Sequence, residues 1–93
     1  MQQVKNIQFT NLIKAGGRLH EFNFRKSTGI DGPVFTVDVA DQYGVRQYVM
    51  FRQEQGEWVL KTNHIPAWIE EALPKIKQAI TDAGILINVL TTK

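Results

Sequence analysis

The sequence predicts an α+β fold: an antiparallel meander sheet of four or five strands, then one amphipathic helix, kinked near Pro74, packed on one face of the sheet. Three observations carry that reading. Apolar and polar residues alternate through much of residues 5–62, the period of a half-buried strand. Glycine-bearing turns divide that stretch at hairpin spacings. From Pro66 onward the apolar period lengthens to that of a helix.

Ninety-three residues, 43% of them apolar and 22% charged, suit a single globular domain, 1–93, rather than a disordered chain. Within residues 4–14, Ile7, Phe9 and Ile13 alternate as a strand would, whereas Val4, Ile7 and Leu12 would line a short helix; the strand is favoured. Ala15-Gly16-Gly17-Arg18 supplies the positive-φ positions of a tight hairpin, and Leu19 to Lys26 returns with Phe22 and Phe24 on one side. Ser27 to Pro33, with two glycines and a proline, reads as a surface loop.

A second hairpin joins Val34–Ala40 to Val45–Gln53 through Asp41-Gln42-Tyr43-Gly44, a type I turn with Gly44 at a G1 bulge. That turn fixes a register: Val37 opposite Val49, Phe35 opposite Phe51, Asp38 opposite Tyr48 and Thr36 opposite Met50. Gln55-Gly56 marks another turn before Glu57 to Lys61, and its length decides which face Trp58 occupies, a choice the sequence leaves open. Ile65, Ile69, Ala72, Leu73, Ile76, Ala79, Ile80 and Ala83 then form one helical stripe over about residues 66–83. Pro66 fits a first turn, Gly84 fits the end, and Pro74 must kink or divide the helix. Residues 85–93 form an apolar tail that reads equally as strand or helix.

Several chemistries find no support. His20 and His64 are 44 positions apart with no cysteine anywhere in the chain, so no metal ligand set is expected. Glu70 and Glu71 are helical neighbours that diverge by about 100°, a solvated face rather than a carboxylate pair. There is no G-x-S-x-G elbow, and Gly16-Gly17 lacks the rest of a phosphate loop. No enzyme, cofactor or small-molecule substrate is expected. No apolar run is long enough to span a bilayer, and Met1-Gln2-Gln3-Val4-Lys5 lacks a signal-like apolar stretch, so a cytoplasmic protein with no membrane partner is the expectation.

Charge is unevenly placed. Residues 1–26 hold five basic residues and one acid, a net of +4, whereas residues 27–57 hold two arginines and five acids, a net of −3. One strand, moreover, alternates Arg46, Tyr48, Met50 and Arg52, which places cations and stacking surfaces on one face. Such a face would hold single-stranded nucleic acid, arginines on phosphates and Tyr48 under a base. Lys14 and Arg18 flank the first turn within reach of the sheet edge, and Arg25 joins the face if its strand stays regular. The alternatives are that the arginines are merely solvated, that Tyr48 lies against Asp38, or that a homodimer buries the face.

Leu12-Ile13-Lys14-Ala15-Gly16-Gly17-Arg18, followed by Phe22-Asn23-Phe24-Arg25, resembles the first hairpin of Pur-alpha-type repeats, and the strand order over roughly residues 5–83 resembles them too. The match in residues is confined to the A-G-x-R turn; the stretch 27–33 and a strand at 57–61 are additional to the family's plan. The resemblance implies a four-stranded antiparallel sheet followed by a helix, units paired through their helices, and single-stranded DNA or RNA bound on the sheet. The functional expectation is therefore a non-enzymatic binding module, homodimeric, for single-stranded nucleic acid. Its alternative is a homodimeric protein-interaction or assembly domain.

Overall fold

A computed structural model describes residues 7–91, with side chains described over 7–83. Five strands, β1 (Ile7–Ala15), β2 (Arg18–Gly29), β3 (Gly32–Ala40), β4 (Arg46–Glu54) and β5 (Glu57–Leu60), pair in sequence order as one antiparallel sheet. Two helices come after them, α1 (Ala67–Glu70) and α2 (Leu73–Thr91). The α+β meander expected from the alternation is thus present, with five strands rather than four.

Turn chemistry sets the registers. Gly16 and Gly17, with φ of 60° and 79°, close β1 on β2 so that Ala15 faces Arg18. In the β3–β4 turn the Gly44 amide donates to the Asp41 carbonyl at 2.9 Å and the Asp41 amide to the Val45 carbonyl at 2.9 Å. Gly44 takes φ 81°, and the pairs Val37 with Val49, Phe35 with Phe51, Asp38 with Tyr48 and Thr36 with Met50 form as the turn dictates. Gln55-Gly56 is a two-residue turn pairing Glu54 with Glu57, which places Trp58 opposite Gln53 on the helix side, edge-on to Phe35 with ring centroids 5.2 Å apart.

Residues 27–33 are not a loop. β2 runs to Gly29 and β3 starts at Gly32, leaving Ile30-Asp31 as the turn. Ser27 and Thr28 are competent in a strand, and Pro33 precedes the first β3–β4 pair at Val34, an end position where a missing N–H costs least.

The helix divides before Pro74 rather than bending at it. A proline lacks the N–H that would bond four residues back, and its ring meets the carbonyl of that residue, here Glu70, which is the last residue of α1. Pro74 then sits in the first turn of α2, where prolines are tolerated. α2 passes through Gly84 and continues to Thr91. A glycine inside a helix costs only about 1 kcal/mol, too little by itself to end the helix. The run 85–91, left open between strand and helix, is therefore helical backbone; its side chains lie outside the described residues.

One face of the sheet and one side of the helices share the core. Phe22, Phe24, Phe35, Val37, Val49 and Phe51 interlock with Ile69, Ile76 and Ile80, all essentially inaccessible. Each such side chain contributes about 1.5–3 kcal/mol relative to exposure. Among the described residues no helix covers the opposite face of the sheet, and Leu12, Leu19, Tyr48 and Met50 stand exposed there.

Candidate functional site

β4 alternates buried and exposed residues: Val49 and Phe51 point to the helices, and Arg46, Tyr48, Met50 and Arg52 line the helix-free face at steps of about 6.7 Å. Unbroken pairing with β1 over residues 18–26 and with β3 over residues 23–29 keeps β2 regular, so Arg25 joins that face, opposite Gln8 on one side and Thr36 on the other. Lys14 also belongs there, beside Leu19 at the hairpin end. Arg18 does not. It pairs with Ala15, a core residue, and strand alternation turns it to the helix side. Five of the six basic and aromatic residues singled out from the sequence therefore share one face, with Arg25, Arg46, Tyr48 and Arg52 on neighbouring strands and Lys14 apart at the hairpin end.

Two of the arginines have acidic partners. The Arg46 guanidinium is 3.1 Å from the Asp38 carboxylate, and that of Arg52 is 3.6 Å from Asp31 in the β2–β3 turn. Both pairs are partly exposed, so each stabilises the fold by no more than about 1 kcal/mol. Arg52 lies between Val34 and Val59 on the neighbouring strands, and its Nε is buried with no acceptor among the described residues. Arg25 has no carboxylate within 4 Å among the described residues. Like Lys14, it is exposed and open to a ligand.

Tyr48 is 61% exposed at mid-strand, above Asp38 and two positions from Arg46. Beside it a shallow depression of about 390 Å³ is lined by Gln8, Thr10, Asn23, Arg25 and Asp38. Thr10 donates from Oγ1 to Asn23 Oδ1 at 2.7 Å, which fixes that floor. Of these, Gln8, Thr10 and Asn23 are not among the site residues the sequence singles out. Their only signal was that Asn23 shares the parity of Arg25, and uncharged amides and hydroxyls are too common on solvated strands for parity to mark them.

Asp41 holds the β3–β4 turn. Its Oδ1 accepts from the Tyr43 amide at 2.8 Å and the Val45 amide at 2.9 Å, and these bonds, that from Val45 foremost, hold its carboxyl below its ordinary value of 3.8. Among the described residues no three His, Asp or Glu side chains cluster as metal ligands, and no helix is long and apolar enough to cross a membrane.

Compared with family models, with curated proteins and with solved structures, the chain matches none.

Proposed function

We propose that this chain is a non-enzymatic binding module that takes single-stranded nucleic acid on the helix-free face of its sheet. The observation that carries the reading is Tyr48, a large aromatic ring 61% exposed at the middle of a strand, with Arg46 and Arg52 along that strand and Arg25 across the sheet. An exposed ring is a platform for any base, and cations around it meet the phosphates on either side. The polar depression over β1–β3 offers amide and hydroxyl groups to base edges or sugar. The likeness of the Ala15–Arg18 turn to Pur-alpha-type repeats points the same way.

A second reading has its own support. Leu12 and Leu19 are 64% and 67% exposed on the same face, and Asp38 and Asp31 already engage Arg46 and Arg52. An apolar surface with internally compensated charges suits a protein partner, a second copy of the chain included. Salt separates the readings. Phosphate contacts release counterions, so affinity for a labelled oligonucleotide falls with a slope of about −0.7 per contact on a log–log plot. A fluorescence anisotropy titration at rising salt should show that slope for two or three contacts; no binding at low salt would remove the nucleic-acid reading and leave the protein interface.

A further inference from the structure

On the helix side, where the β1–β2 turn, the β3–β4 turn and α1 meet, lies a cleft of about 290 Å³. Gly16, Arg18, His20, Asp41, Tyr43 and Trp68 line it. Three separate segments build it. The glycine turn comes so close to α1 that a Cβ on Gly16 would stand 3.0 Å from the Trp68 Cβ, and Glu71 accepts the Gly16 amide at 3.2 Å. His20 lies against the Trp68 indole with centroids 4.7 Å apart, a firm aromatic wall. Tyr43, 80% exposed and with no aromatic partner among the described residues, stands at the rim.

The charges are sorted. Both carboxylates at the cleft are engaged by the protein's own donors, Asp41 by the Tyr43 and Val45 amides and Glu71 by the Gly16 amide. Arg18, exposed, has no carboxylate within 4 Å among the described residues. The free capacity is thus one guanidinium fork, which suits a phosphate or carboxylate in two parallel hydrogen bonds, beside aromatic surface that suits a flat ring. The volume sits at the lower end of ligand sites, about 300–1,000 Å³, which limits the occupant to a ring and its anionic group.

We infer that this cleft binds a small planar ring compound carrying a phosphate or a carboxylate, the anion on Arg18 and the ring against Trp68 and Tyr43. The inference stands apart from the nucleic-acid reading, since it uses none of the residues of the helix-free face.

Adenosine monophosphate and 4-hydroxybenzoate, titrated separately into the full chain, test the two anion classes, with adenosine and inorganic phosphate each lacking one of the two required features. NMR should show saturable shifts of the Trp68 indole N–H and the Gly16 amide with one or both ring anions, and the responding compound names the class. Arg18→Ala should weaken that binding by about tenfold to a hundredfold, with Arg18→Lys between. Tyr43→Ala should weaken it by about two- to tenfold, and Lys77→Ala, on the exposed side of α2, should leave it unchanged. The inference is overturned if neither ring anion shifts Trp68 at millimolar concentration, if adenosine or inorganic phosphate binds as well as the combined compound, or if both Arg18 variants bind like the parent. Oligonucleotide binding that persists in Arg18→Ala while the ring anions fail would sink the cleft alone.

Discussion

Replacing Tyr48 with alanine should separate binding from folding. The ring is 61% exposed and belongs to none of the packed core, so its removal leaves no cavity. The stability cost is the difference in strand propensity and cross-strand contact with Asp38, about 1 kcal/mol or less. Phe51, three positions along the same strand and fully buried, should by contrast cost about 3–5 kcal/mol as Phe51→Ala. If Tyr48 stacks on a base, losing that platform removes about 1–3 kcal/mol of binding, a drop of about fivefold to 150-fold in affinity. Tyr48→Phe keeps the ring and should bind nearly as the parent does. Arg46→Ala has a different signature: the salt slope becomes shallower by about 0.7, and the affinity loss is moderated because Arg46 must first leave Asp38. Urea unfolding and oligonucleotide anisotropy on the same four variants read both quantities. Tyr48→Ala that unfolds like Phe51→Ala, or that binds like the parent, refutes the reasoning.

Three further predictions concern the scaffold. Gly16→Ala should destabilise more than Gly17→Ala, because both residues have positive φ, costing an alanine about 1–2 kcal/mol, but only Gly16 also meets Trp68; equal losses in urea would show that α1 yields freely. Because turn amides lower the Asp41 pKa in the folded state, its contribution to stability is present above the ordinary 3.8 and disappears as pH falls through the lower folded value. Asp41→Ala should therefore be less stable than the parent near neutral pH, with the gap closing as pH falls past 3.8 and through the lower folded value; a gap unchanged with pH would assign the effect to something other than the ionised carboxylate. Light scattering should show self-association that Leu12→Glu with Leu19→Glu abolishes, and a parent protein that is monomeric at every concentration would remove the homodimer.

The sheet was legible wherever a turn and an apolar alternation agreed. Asp41 and Gly44 fixed the β3–β4 pairing from local chemistry, and the valines and phenylalanines on both sides permit no other register. Legibility failed where one residue type serves two purposes. Gly29, Gly32 and Pro33 mark a loop in one setting and a two-residue turn in another, and composition does not distinguish them. Gly84 could end a helix or be carried within it, a choice governed by about 1 kcal/mol and by the helix propensity of residues 85–91. Of the site, alternation gave the row along β4 and the membership of Arg25. Lys14 and Arg18 flank the same turn, but strand parity puts them on opposite faces, so Arg18 lies on the helix side of the sheet edge. Trp68, Tyr43 and His20 meet through tertiary packing alone, with no spacing in the chain to announce it.

The distribution of burial explains why such a small chain can leave so much of one face uncovered. Among the described residues, all fourteen buried apolar side chains belong to a single cluster, drawn from one side of β1–β4 and one side of the helices. Stability is thus concentrated in residues of one strand parity, and residues of the other parity can change with little effect on folding. The consequence for function is a testable independence: substitutions at Arg25, Arg46 and Tyr48 should alter binding without moving the unfolding midpoint far. Arg52 is the exception. It is flanked by Val34 and Val59 on the neighbouring strands and its Nε is buried, so Arg52→Ala should lower both affinity and stability, the latter through lost burial as well as lost charge. A double-mutant cycle between Arg52 and Asp31 resolves the two contributions: the ion pair accounts for the coupling, at most about 1 kcal/mol at this exposure, and whatever stability loss remains belongs to the lost burial.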